Sequence, residues 1–240
     1  MKKKIVILAL FISCCFVLGA QNVGSSPDYI KAITSDWKGE RFADGRPKVP
    51  DSILERLKNI SVEEAWGVLR NKGYMNQFES EWQVINPDVP MTGRVVTAQY
   101  MPLRPDLEKY IKAQGKIEGR AQQGGTNSWP IDVLVDGDVY VADSYGKIVD
   151  GTLIGDNLGN SIYAKSKRGV IFKGSVRDQE GLSEIKGFNG WIKGQDPSYI
   201  MQMSLVSINA PVRIGRAVVL PGDVVLAKKF GVIFIPAHLV

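Results

Sequence analysis

Hydrophobic residues recur along this chain with two spacings, and each spacing predicts its own elements. A helical spacing runs through Asp51–Lys58 and again from Ser61 to Leu69. In the second run Ser61 precedes the helix and Glu64 follows three residues later, the reciprocal pair of a capping box. Both helices are expected to face a core. Glu63 and Glu64 read as partners of the helix dipole, not as a catalytic pair of acids. Strand spacing takes over at Thr92–Tyr100, where β-branched residues alternate with others. Pro102–Gly125 reads as an insert with a helix over Asp106–Ala113, and Gln122–Ser128 as a mobile loop placed near a substrate opening. Ile131–Asp143 predicts a hairpin whose two β-rich runs meet at Asp136-Gly137-Asp138. Its acidic residues, Asp132, Asp136, Asp138 and Asp143, miss the spacing of a calcium loop and read as structural.

Beyond this, Gly155–Asp178 predicts a glycine-bracketed turn, a short helical run and an apolar strand, Gly169–Phe172. Gly187–Tyr199 reads as an irregular connection and Leu205–Ala210 as a strand. Val218–Pro236 reads as two strands around a Lys228-Lys229-Phe230-Gly231 turn. Helices and strands are mixed without a regular alternation, which argues against an eight-unit βα barrel and for a layered α/β domain. Residues 21–50 are polar and turn-rich, and read as a linker or arm whose Tyr29, Trp37 and Phe42 pack on the body or on a neighbour. The main domain is expected over residues 51–240.

Composition changes this picture at the amino end. With 240 residues, 44% of them hydrophobic, the chain can bury a sizeable core. The first twenty residues stand apart, because Lys2, Lys3 and Lys4 precede an apolar run, Ile5–Ala20, that is short for a stable membrane span. That is the pattern of a signal peptide cut after Ala20, and it predicts a periplasmic or secreted protein; a lipoprotein acylated at Cys14 or Cys15 is the minor alternative. Both cysteines lie in this leader, so a processed chain has no disulfide and no thiolate. Removing the three lysines lowers the formal charge from +5 to +2, which gives no electrostatic reason to expect nucleic acid as a partner.

Candidate chemistry centres on Gly155-Asp156-Asn157-Leu158-Gly159 and on Arg177-Asp178. A glycine-rich turn at a helix start points free N–H groups at an anion, a guanidinium grips a carboxylate, and a neighbouring Asp is a hard ligand for a divalent cation. Singly, each residue is more often a turn former or a solvated surface charge. Together, Asp156 followed after twenty residues by Arg177-Asp178 resembles the RraA-like family. The motifs Pro211-Val212, Val219-Leu220-Pro221-Gly222-Asp223 and Gly231-Val232-Ile233-Phe234-Ile235-Pro236 resemble that family's signature as well. The family takes in the regulator of ribonuclease E activity A and metal-dependent 4-hydroxy-4-methyl-2-oxoglutarate aldolases.

The resemblance implies a layered swivelling β/β/α fold with mixed sheets, and ring-like homotrimers or hexamers with active sites between subunits. It implies an aldolase or decarboxylase that releases pyruvate from a short 2-oxo acid. In that scheme Mg2+ or Mn2+ sits on Asp178, Asp156 holds a metal-bound water, and the substrate meets Arg177 and the Gly155–Gly159 turn. Two features depart from the family pattern: Lys228 and Lys229 stand where acidic residues are usual, and the sequence given carries no helix after Pro236, the part that in family aldolases supplies an acid to the neighbour's metal site. A non-catalytic binding or regulatory protein is the main alternative. A Schiff-base aldolase using Lys173 is a minor one, and His238 reads as a surface residue.

Overall fold

The computed structural model describes residues 22–240, so the expected leader lies outside the described residues. In chain order the elements are α1 (Pro27–Ile33), α2 (Asp51–Leu57), α3 (Val62–Asn71), β1 (Phe78–Glu79), β2 (Gln83–Val84), β3 (Met91–Pro102), α4 (Pro105–Ile117), α5 (Trp129–Asp132), β4 (Asp138–Asp143), α6 (Asp156–Ser166), β5 (Val170–Val176), α7 (Gln179–Glu184), β6 (Gly190–Gln195), β7 (Met203–Ile208), β8 (Val212–Ile214), β9 (Ala217–Val219), β10 (Val224–Lys228) and β11 (Gly231–Ile235). The capping box of α3 forms as its sequence requires: the Glu64 N–H donates to Ser61 Oγ and the Ser61 N–H to Glu64 Oε2.

One large mixed sheet carries the molecule, in the order β1-β11-β10-β3-β4-β5-β6-β2, with β7 alongside β3. Its centre, β3-β4-β5-β6, is parallel. The crossovers are helical, α4 and α5 between β3 and β4, α6 between β4 and β5, α7 between β5 and β6. Side-chain alternation along these strands divides the core in two. Val96, Tyr140 and Phe172 face the helices, and pack there with Ile111, Ile162 and Leu182. Val95, Val141, Ile171 and Trp191 face the other way, against Val212, Ile214, Ala217 and Val219 of the β8-β9 hairpin. The result is three layers, hairpin on sheet on helices.

Four expectations are corrected. Ile131–Asp143 is not a hairpin: Ile131 and Asp132 end α5, whose Trp129 and Ile131 are buried with Leu134 in the helix-side core. The Asp136-Gly137 turn therefore links a helix to β4, and β4 pairs in parallel with β3 and β5. Gly187–Tyr199 is not irregular, since it contains β6, paired in parallel with β5. Its glycines conceal the strand in sequence but serve packing, because a Cβ on Gly190 would lie 2.7 Å from Ile85 Cδ1, and one on Gly194 would lie 2.9 Å from Ile148 Cδ1. With β6 in place, the centre of the sheet does alternate regularly between strand and helix. Finally, Val218–Pro236 contributes three strands, because Val218 belongs to β9.

Of the two readings of the amino-terminal segment, linker or arm, the structure has an arm packed on the body, with Trp37 against the core. It contains α1, and it sends Arg46, 1% exposed, into the sheet, where the guanidinium donates to both oxygens of Asp138 at 3.0 Å. Burial alone would lower the Arg46 pKa, but the charge and hydrogen bonds of Asp138, and then of Asp44, outweigh it and raise it. Breaking such a buried pair from one side costs about 3–5 kcal/mol, so residues 40–50 fold as part of the body. Asp138 is thus structural, as the sequence suggested.

Candidate active site

The parallel strands end on one edge of the sheet, and Gly155, Arg177 and Asp178 lie there. In open α/β sheets this edge is where ligands bind. Strand β5 stops at Val176, opposite Gln195 of β6, and the chain turns through Arg177 and Asp178. A second stretch is laid beside the end of β5: the Leu153 N–H donates to Ser175 O at 3.0 Å and the Arg177 N–H to Ile154 O at 3.0 Å. This pairing delivers Gly155, the residue before α6, directly to Arg177.

Two helix starts meet at that point, and neither is capped by a side chain. Gly155 is extended (φ −120°, ψ −164°), and in the first turn of α6 the Asn157 N–H is taken by Asp156 Oδ1, which leaves the Asp156 and Leu158 N–H groups to a ligand. Asp178 precedes α7, a position where Asp ordinarily caps. Here it adopts a left-handed backbone (φ 55°), and its carboxylate turns toward Gly155 instead of the α7 N–H groups. A non-glycine residue in this region costs about 1 kcal/mol or more, and such strain collects at functional positions.

Gly155 is enclosed by the two charged side chains. A Cβ built on it would collide with Asp178 Oδ2 and lie 3.1 Å from both Cγ and Nε of Arg177. Arg177 Nε stands 3.7 Å from Asp178 Oδ2, beyond hydrogen-bond length, with the side chains 39% and 43% exposed. Asp156 starts α6; its Oδ1 accepts the Asn157 N–H at 2.7 Å, and its Oδ2 lies on the α7 side, 3.4 Å from where a Cβ on Gly181 would be. The structure therefore brings Gly155, Asn157, Leu158 and Arg177 around one hollow, with Asp178 beside Gly155, whereas Asp156 lines neither this hollow nor the one over Asp178 and turns its free oxygen toward Gly181 of α7. Gly159 does not share it, because it lies under Leu182 where α6 and α7 pack.

Arg177 lines two hollows. One, about 70 Å³, is walled by Gly155, Asn157 and Leu158 and closed by Asn127, Tyr199 and Ile200. The other, about 350 Å³ and more open, runs over Asp178, Gln195, Asp196 and Pro197. The Ser198 hydroxyl and N–H hold the Asp196 carboxyl below its usual range. Asn127, Tyr199 and Asp196 were not identified as site residues from sequence; only the placing of the Gln122–Ser128 loop beside an opening signalled the first of them. Asn127 is fixed by donating to Leu153 O at 2.7 Å. Lys173, the lysine of the Schiff-base alternative, stands opposite Asp143 on β5, and lines neither hollow.

A divalent cation fits the chemistry here in a limited way. Among the described residues no group of three His, Cys, Asp or Glu side chains converges to hold a metal. Magnesium, however, is often held by one or two carboxylates, and keeps several waters. Asp178 offers such a hard oxygen ligand, half-exposed at the edge of the open hollow.

Comparison with known proteins narrows the reading. The model of the RraA-like family, described as Aldolase/RraA, matches residues 59–234. The chain belongs to the RraA-like family. Among solved structures, this RraA-like protein is similar to Streptomyces coelicolor RraAS2, an unusual member of the RNase ES inhibitor RraA protein family, at 25% identity and a TM-score of 0.66, covering 79% of this chain and 88% of that one. The RNA-processing inhibitor RraA from Thermus thermophilis shares the fold at 19% identity and a TM-score of 0.51, over 71% and 92% of the two chains. A Pseudomonas syringae protein shares it at 17% identity and 0.62, over 80% and 85%. The mixed α/β architecture with one large mixed sheet is common to this chain and its RraA-family neighbours. That family includes aldolases as well as ribonuclease inhibitors.

Proposed function

We propose that this protein is a divalent-metal-dependent carbon–carbon lyase, an aldolase or decarboxylase that releases pyruvate from a short 2-oxo acid of the 4-hydroxy-4-methyl-2-oxoglutarate or oxaloacetate type. The observation that carries the reading is the enclosure of Gly155 by Asp178 and Arg177 at the open start of α6. An anion beside Gly155 meets the first N–H groups of the helix and the guanidinium together, which suits a substrate carboxylate. Asp178 would hold Mg2+ or Mn2+, with water and substrate in the remaining positions. When bound, the cation supplies Lewis-acid polarisation of the 2-oxo oxygen. Asp156 keeps Oδ1 on the Asn157 N–H, which leaves Oδ2 as the atom to hold a water and accept its proton. Asn127 and Tyr199 limit the substrate on the narrow side and exclude bulk water there.

Two further features belong to this reading. Lys2–Lys4 followed by Ile5–Ala20 supports export to the periplasm or beyond, and among the described residues no helix is long and apolar enough to cross a membrane. Family kinship supports a homotrimer or hexamer, which sedimentation analysis would measure. The rival reading, a non-catalytic regulatory protein, is favoured by kinship to RraAS2 at 25% identity. Pyruvate release from either substrate, present with magnesium or manganese and abolished by chelator, supports the lyase; no release with any metal, together with capture of a ribonuclease partner, supports the rival.

A further inference from the structure

A separate cavity, about 210 Å³, lies at the opposite edge of the sheet. Its position follows from the register: Val224 of β10 pairs with both Arg94 and Ile235, and Arg94 pairs with Asp138, the first residue of β4. Asp223, just before β10, is therefore at the amino-terminal end of the parallel strands, while Arg177 is at their carboxyl end. Two walls come from segments outside residues 59–234, the stretch matched by the family model: Ile33–Trp37, from the last residue of α1 onward, and Pro236–His238 after β11.

The lining has a definite chemical character. Asp223 is 4% exposed and accepts the Leu220 N–H at 2.8 Å and the Ala237 N–H. Across from it, His238 Nε2 lies 3.2 Å from the Tyr74 hydroxyl and 4.0 Å from Asp36 Oδ2. No lysine or arginine is among the lining residues. Two cations brace the 34–37 loop that forms one wall: Arg41 donates to the carbonyls of Thr34, Trp37 and Gly45, and Lys38 Nζ to Ser35 O at 2.8 Å. Asp36, Asp223 and His238 do not converge as a metal site among the described residues, so a bare ion cannot reach all three. An object several atoms across can. The volume is below the roughly 300–1,000 Å³ of pockets for drug-sized ligands, and so suits a small metabolite.

We propose that this cavity binds a small primary ammonium compound that also carries a hydroxyl. The ammonium donates to Asp36, displacing the His238 contact, while the hydroxyl reaches the Tyr74–His238 pair and the carbon frame lies against Leu220 and Ala237. The test is calorimetric titration of the full chain with ethanolamine, with ethylene glycol and acetate as neutral and anionic controls. Saturable heat is expected for ethanolamine alone, weakened tenfold or more in Asp36→Asn, whose thermal midpoint stays that of the parent because Asp36 is 73% exposed. Arg177→Ala, at the other edge, is expected to leave this binding unchanged, whatever becomes of the proposed lyase activity. Absence of saturable heat, equal binding of either control, undiminished binding by Asp36→Asn, or loss of binding in Arg177→Ala would each overturn the proposal.

Discussion

Replacing Gly155 by alanine separates function from stability more sharply than removing a charged residue does. The backbone at Gly155 is extended and accepts any side chain, so the substitution adds no backbone strain. The added methyl meets two side-chain ends, Asp178 Oδ2 and the Arg177 Cγ–Nε segment. Restoring an ordinary contact of about 3.5 Å requires the carboxylate to swing by about 1 Å, which a side chain 43% exposed can do cheaply. The loss of stability should stay near the 0.5 kcal/mol typical of surface substitutions. Displacing a ligand-holding carboxylate by 1 Å costs on the order of 100-fold in rate, and the methyl also covers the N–H groups that would meet the substrate. The assay is metal-dependent pyruvate release by Gly155→Ala beside the parent, with urea denaturation of both. A variant with parental kcat/KM refutes the assigned geometry, and one that loses activity only in proportion to lost folding refutes the separation.

Two other outcomes follow from the same geometry. Arg177→Lys keeps the charge but loses the fork that pairs with a carboxylate, and should raise KM about 10-fold to 100-fold with kcat less affected, measured by initial rates on oxaloacetate. Burial pushes the Asp223 carboxyl up from 3.8 to about 7, against the pull of the Leu220 and Ala237 N–H groups. Between those values the native state holds a proton that the unfolded state releases, so stability falls as pH rises from 4 to 7, by up to about 4 kcal/mol from this group. Denaturation midpoints across that range should show the decline, and Asp223→Asn should flatten it.

How much could be read from sequence depended on whether a residue's local signal agreed with its tertiary role. Gly155, Asp156, Arg177 and Asp178 were legible because turn glycines, helix start and charged strand end all carry local signatures at a recognisable spacing. Strand β6 was hidden because Gly190 and Gly194 imitate breakers, and only Ile85 and Ile148, distant in sequence, explain why no side chain fits there. Asp136-Gly137-Asp138 imitates a hairpin turn, yet the Asp138 carboxylate accepts the Val135 N–H and pairs with Arg46, 92 positions away. Arg46 itself lies in a polar stretch that reads as a linker, and no local pattern announces a buried guanidinium. Tyr199 and Asp196 reach the site from the β6–β7 connection, whose place depends on the missed strand.

The central claim is that Asp178 holds a divalent cation beside a carboxylate site at Gly155 and Arg177. It is tested most directly by pyruvate release from 4-hydroxy-4-methyl-2-oxoglutarate and oxaloacetate with magnesium or manganese, with and without chelator, in the parent and in Asp178→Asn. Release that disappears with chelator and in Asp178→Asn, while the variant keeps its thermal midpoint, is the predicted result. Undiminished release by Asp178→Asn, or release indifferent to chelator, would contradict it.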